Sequence, residues 1–443
     1  MNINTYLSKK VILAALLFTV VLIASALSLF IFLQSQATLP KGNTTADSIQ
    51  EKNNLIINIS AIDPDVKTLT ADSENRFAIR IMVRNAKGAP VQGAEVQLEA
   101  AIDNAAETEA KAEIETGTNP SASSSSAIKP YSSIVDTKAA SDNDTAESKT
   151  PSASGKSAMI GTFYPASGLT DSNGIFNAEY APPSSASDIN QIKLSSNLVG
   201  TDKTSTFKIA LIPVPVVFVH GYQASPDIFS GISAYMKTRG FNPLCPSYSS
   251  EKGVVEAAEE LASFLDNTKN EMASSGIQIK RFDLVGHSMG GLVARYYTCG
   301  SEYLSRENVR KLIFLSVPQK GSPFASIGLK YYDNQGIRDL LTDSSLYSEL
   351  LPSMTNGGLN PSIQTGSIMG RYDEVVSAES ASLAQWGIKT ELFDVGDSNF
   401  TIDKLLSGEI LQAANHKLIL YNRKVYQRVE EMLTTDLSYP SVK

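Results

Sequence analysis

The stretch FDLVGHSMGGLVARYY, Phe282 to Tyr297, decides the fold of this chain. Phe282, Leu284 and Val285 have the character of the end of a buried strand. Gly286 to Gly290 follow as a tight turn, and Gly291 to Tyr297 have a helix-forming composition. Strand, G-x-S-x-G and helix, in that order, make a nucleophile elbow, a turn that lifts a serine hydroxyl off the end of a sheet. The flanking backbones run so close in such a turn that a Cβ at Gly286 or Gly290 would clash, and Ser288 has to take a strained φ/ψ.

Outward from that turn, a length of 443 residues leaves room for two or three domains and a full core. The net charge of -8 excludes the basic footprint of a nucleic-acid binder. Cys245 and Cys299 are too few for a disulfide framework, and no C-x-x-C or Cys/His cluster points to a metal. They read either as one bridge in an exported chain or as two unpaired buried thiols. No cofactor is expected.

Val11 to Leu33 is an uncharged apolar run of 23 residues, long enough to cross a bilayer as a helix. Lys9 and Lys10 precede it and the following flank is poorer in basic residues, which keeps the N-terminus inside. The expectation is a cytoplasmic tail (residues 1–10), a transmembrane anchor (11–33) and a polar linker (34–53), a single-pass arrangement in the cell membrane with the bulk extracellular. The alternative is an export signal cleaved near Ser35-Gln36-Ala37 and a secreted protein.

From residue 54 to 211 the pattern turns to short alternating strands: NLIINISAI, FAIRIMVRN, AEVQLEA, GTFYPASG, IFNAEYAPP, QIKLSSNLV and TSTFKIAL. Their period of two and the turn chemistry between them predict a β-sandwich. Residues 102–156, rich in Ala, Ser and Thr and nearly without aromatics, read as a disordered insertion. The phrases KGAPVQGAEVQL and GLTDSNGIFNAEYAPP resemble bacterial immunoglobulin-like domains of the invasin type. That resemblance implies a spacer or display module without chemistry of its own.

The stiff junction Ile212-Pro213-Val214-Pro215 opens the last region, 212–443. VVFV (Val216 to Val219) suits a strand buried on both faces, and His220-Gly221-Tyr222 turns out of it. Ser225-Pro226 opens a helix to about Arg239; a strand near Phe241 to Tyr248 and the helix VVEAAEELASFLDNTKNEM follow. After the elbow come the strand KLIFLSV, the segment IRDLLTDSSLYSELL and the closing helix KLILYNRKVYQRVEEML. Strands alternating with helices predict a parallel sheet covered on both faces.

His-Gly after the first strand and D-L-V-G-H-S-M-G-G-L at the elbow resemble the α/β-hydrolase fold of bacterial lipases and esterases. The resemblance covers about residues 212–433 and implies a serine esterase or lipase working through an acyl-enzyme. Three histidines exist. His220 ends a strand ahead of the nucleophile, and His287 is locked beside Ser288. His416 lies downstream, in the order Ser, acid, His, and is the expected base. Asp373, in a G-x-x-D-x-V-V setting after a predicted strand from Gln364 to Met369, is the expected acid; Glu374, Asp394 and Asp397 are its rivals. The resemblance gives the oxyanion hole to the backbone N–H groups of Tyr222 and Met289. It also departs from the family: Gln319 stands where lipases often carry the histidine of a Pro-His-x-Gly-Ser stretch. The segment from Ser322 to Pro361 serves either as a small cap or as ordinary core packing.

The expected partners are an ester substrate, with lipids among the candidates, and the membrane around the anchor. The alternatives are a non-catalytic adhesin with a hydrolase-shaped head, or a thioesterase or acyltransferase using the same residues.

Overall fold

The computed structural model describes residues 54–103, 160–186, 190–396 and 415–443. The expected anchor and linker, nearly all of the insertion and Asp397 lie outside the described residues. Among the described residues no helix is long and apolar enough to cross a membrane. The chain divides into two units, Met1–Leu55 and Ile56–Lys443, and the second holds every strand and helix described below.

Its first half is built from β1 (Ile56–Ala61), β2 (Thr68–Thr70), β3 (Phe77–Arg84), β4 (Glu95–Ile102), β5 (Thr162–Tyr164), β6 (Ser167–Leu169), β7 (Ile175–Ala181), β8 (Asn190–Leu198) and β9 (Thr204–Ile212). Its second half adds β10 (Val216–Val219), β11 (Pro243–Leu244), β12 (Ile277–Gln278), β13 (Phe282–His287), β14 (Val309–Leu315), β15 (Gln364–Gly370) and β16 (Thr390–Phe393). The period of two is realised in the first half. On β3, Phe77, Ile79, Ile81 and Val83 are buried while the residues between them face outward. The strands form an antiparallel sheet ordered β1-β3-β7-β5 and a second sheet ordered β12-β2-β9-β8-β4-β6.

Two strands of that second sheet were not expected. β2 pairs in parallel with β9, and β12, which belongs to the C-terminal half, pairs in parallel with β2. The halves are therefore joined by shared sheet. Polar contacts back this up: the Asn75 amide donates to Gln278 O (2.8 Å), Gln278 Nε2 donates to Arg76 O (2.7 Å), and Arg281 Nε donates to the buried Asp72 (2.8 Å).

The second sheet-bearing half has strands ordered β11-β10-β13-β14-β15-β16, all parallel. Every residue of β10, β13 and β14 is buried, as a sheet covered on both faces requires. Alternate side chains sort to the two faces. Leu284, Leu312 and Phe314 pack with the helices Val254–Ser274 and Met289–Cys299. Val285, Ile313 and Leu315 pack with Ser230–Lys237 and Arg423–Thr434.

Four elements depart from expectation. The strand near Phe241 to Tyr248 shrinks to β11, because Pro243 and Pro246 have no N–H to give a ladder. The helix expected to Arg239 starts as a 3-10 turn, Pro226–Phe229, before becoming α-helical at Ser230, and Ser225 makes no side-chain cap bond. IRDLLTDSSLYSELL is broken: Gln335–Asp339 is helical, and a new start follows at Leu346, whose N–H bonds to Ser344 Oγ (3.1 Å). Ile337, Leu340, Leu346 and Leu351 of this segment join the core. The closing helix is interrupted at Asn422, whose Oδ1 accepts from the N–H groups of Lys424 and Val425 and caps Arg423–Thr434 anew.

Candidate active site

The elbow follows from its glycines. A Cβ on Gly290 would stand 2.1 Å from Val219 O, one on Gly286 2.5 Å from Gly291 Cα, and one on Gly291 2.1 Å from Val317 Cγ2. Only bare backbone lets the turn press onto β10. Between those glycines Ser288 is held at φ 53, ψ -129, a region in which a side chain is strained by about 1–3 kcal/mol. Its hydroxyl makes no hydrogen bond with another described residue.

The structure brings Asp373 and His416 together across 43 residues of sequence: His416 Nδ1 is 2.8 Å from Asp373 Oδ2 and 3.1 Å from Oδ1. Both side chains are buried. Burial alone would raise the Asp373 carboxyl. The charge and hydrogen bond of His416 outweigh it, with the Val376 N–H and the Ser316 hydroxyl, and hold that carboxyl below the usual range. The Val375 and Val376 N–H groups donate to Oδ1 at 3.0 and 2.8 Å. His416 Nε2 is buried and unpartnered. It is not hydrogen-bonded to Ser288; such bonds are often long in unliganded enzymes. The His416 ring packs against the elbow, its centroid 4.7 Å from that of His287, the residue before Ser288.

The rival acids separate on geometry. Asp394 is exposed and pairs with Arg371. Glu374 reaches His416, but at the backbone: its Oε2 accepts from His416 N–H at 3.3 Å, leaving Oε1 buried without a partner. Burial raises its carboxyl, and Asp373 nearby adds to the rise. The other two histidines have different surroundings. His220 stacks on Tyr248 at 4.1 Å, its Nδ1 2.9 Å from Gly221 O. His287 Nε2 lies 3.2 Å from the His416 carbonyl oxygen. A carbonyl only accepts, so Nε2 carries the proton and the buried, unpartnered Nδ1 is a bare acceptor. Burial first, then the charge of His416, pushes the His287 imidazole down to about 3.

The N–H groups of Tyr222 and Met289 have no acceptor among the described residues. Their loops touch, since a Cβ on Gly221 would stand 2.9 Å from Ser288 Cβ. Tyr222 is held by its hydroxyl, which bonds Asn334, and the Gln223 N–H donates to Ser250 Oγ at 2.9 Å. Gln319 Oε1 accepts from the buried Arg295 at 2.9 Å. Cys245 and Cys299 are both free thiols. Sequence reasoning missed Ser316, which supports Asp373, and the His287 and Glu374 contacts to the His416 backbone. A serine just past a strand and a histidine inside the elbow carry no local signal of such partners.

The model of the PGAP1-like alpha/beta domain family matches residues 254–344, which include the elbow and stop short of Asp373 and His416. No curated protein matches the chain. Among solved structures, the mature lipase BlEst2 of Bacillus licheniformis is similar at 16% identity, over 50% of this chain and 92% of its own, with a TM-score of 0.39. The phospholipase PlaB of Legionella pneumophila is similar at 14% identity, over 50% of this chain and 61% of its own, with a TM-score of 0.34. The lin2722 product of Listeria innocua matches at 14% identity over 52% of this chain and 98% of its own, with a TM-score of 0.34. The C-terminal half carries an α/β-hydrolase-like domain with a parallel sheet and the elbow at its centre.

Proposed function

We propose that this protein is a serine hydrolase of carboxylic esters. Ser288 is the nucleophile, His416 the general base and Asp373 the group that orients the imidazole; the N–H groups of Tyr222 and Met289 receive the oxyanion. The observation that carries the reading is His416 itself: one ring nitrogen bound to a buried carboxylate, the other buried and unpartnered, in a ring 4.7 Å from that of His287, the residue before Ser288. In this scheme Ser288 Oγ attacks the ester carbonyl and passes its proton to His416 Nε2. That proton leaves with the alcohol, and a water activated the same way releases the acid. Two aligned N–H donors are worth about 10²–10³ in rate each. No cofactor enters the scheme.

The reading extends to the rest of the chain. The apolar run at residues 11–33 supports a membrane-tethered protein whose hydrolase works outside the cytoplasm, on esters that include lipids. The sandwich fits an invasin-type immunoglobulin-like spacer.

The test uses the full chain in detergent. It should turn over p-nitrophenyl esters and take a fluorophosphonate label, and Ser288→Ala should abolish both. A wild-type chain that neither turns over esters nor labels belongs instead to the non-catalytic binding class.

A further inference from the structure

We propose that His287 and Glu374 are positioning residues that grip the main chain of His416 from its two sides, so that Asp373 has only the ring left to orient. The inference rests on the reading of Ser288, His416 and Asp373 given above.

Four contacts converge on one short piece of chain. Glu374 Oε2 accepts the His416 N–H (3.3 Å), and His287 Nε2–H donates to the His416 carbonyl (3.2 Å). The Asn415 amide donates to Tyr372 O (2.7 Å), and Asp373 takes the ring (2.8 Å). The residue beside the nucleophile and the residue beside the acid thus each hold one end of the same residue.

A carboxylate on the ring alone leaves a degree of freedom, because acid and imidazole can rock together and carry Nε2 away from Ser288. Fixing the main chain as well removes it, and catalytic geometry is sensitive to displacements well under 1 Å. The arrangement leaves Glu374 Oε1 and His287 Nδ1 buried and unpartnered, which is unfavourable for stability. A side chain serving only to fill space would be better as an apolar residue. Glu374, adjacent to a second carboxylate, would be better turned to water.

Four variants of the full chain test this, in two pairs. His287→Met keeps the volume and removes the donor, while His287→Gln puts an N–H the same number of bonds from Cβ. Glu374→Ala removes the acceptor, and Glu374→Gln retains one. The readouts are kcat and KM for a p-nitrophenyl ester, the rate of fluorophosphonate labelling, and the unfolding temperature.

His287→Met and Glu374→Ala should each lower kcat and the labelling rate about tenfold with KM within about twofold, and the Gln variants should recover most of the loss. If unfolding temperatures fall while kcat per folded molecule holds, or if the Gln variants are as impaired as their partners, the grip is overturned. Should His287→Met fail to fold, the Glu374 pair, at a half-buried position, decides alone. An inactive, unlabelled wild type overturns the grip together with the reading of Ser288; an active wild type with indifferent variants overturns the grip only.

Discussion

Two buried polar clusters in this molecule are built in opposite ways. At the junction of the two halves, Arg310 gives Nε to Asp283 (2.9 Å), Nη1 to the carbonyls of Ala71 and Ser184, and Nη2 to Asp283 and Leu433 O. Its neighbour Lys311 donates to three carbonyls, at Met432, Leu433 and Thr435. Around His416, by contrast, His416 Nε2, His287 Nδ1 and Glu374 Oε1 are all buried and all unpartnered. A low-dielectric interior strengthens satisfied hydrogen bonds and penalises unsatisfied ones. The first cluster therefore holds the fold. The second leaves three polar atoms uncompensated, at a cost to the fold.

The sharpest way to break this contrast is to alter each cluster and ask which quantity moves. Asp373→Asn should lower kcat about 10⁴-fold and leave the unfolding temperature within a few degrees; a loss under tenfold in ester turnover would remove Asp373 from its role. Asp283→Asn should do the reverse. It strands the Arg310 charge, at about 3–5 kcal/mol of stability by urea titration, with activity per folded molecule retained.

Ser288→Gly relieves the positive φ of the elbow and should raise stability by about 1 kcal/mol while ending turnover. A Gly variant less stable than the wild type in thermal unfolding would mean that the serine is not strained.

A last effect concerns acid. Native His287 resists protonation until about 3, while the unfolded chain binds that proton near the ordinary 6.5. Between those values the unfolded state holds more protons, so stability falls as pH falls, by at most about 1.4 kcal/mol per unit. Asp373, with its lowered carboxyl, adds a loss as pH drops through its native value; Glu374, raised, works against it. Stability of His287→Gln measured from pH 6.5 to 4 should slope less than the wild type by up to one proton.

What the sequence made legible is what depends on near neighbours. Gly286 announces the elbow because the clash it avoids is with Gly290 and Gly291 nearby; Gly290 is legible from the same motif, although its own clash is with Val219 at the end of β10. The burial of β10 is legible in its unbroken apolar run, and the sandwich strands in their alternation. His416 was reachable through chain order and the scarcity of histidines, and Asp373 through the G-x-x-D-x-V-V setting it shares with lipases.

What was illegible depends on distant pairing. β2 is three residues of Thr-Leu-Thr and β12 only Ile277 and Gln278; neither has a pattern, and β2 exists because β9 and β12 lie beside it, β12 because β2 does. Arg310 and Lys311 look like solvated charges at the start of a core strand until Asp283 and the end of the closing helix surround them. The contact between His287 and His416 spans 129 residues.

The continuity of sheet from β9 through β2 to β12 also governs direction. With no loose link between the two halves, the compass bearing of Ser288 follows that of the sandwich. Strand pairing, rather than a tether, sets where Ser288 stands relative to the sandwich.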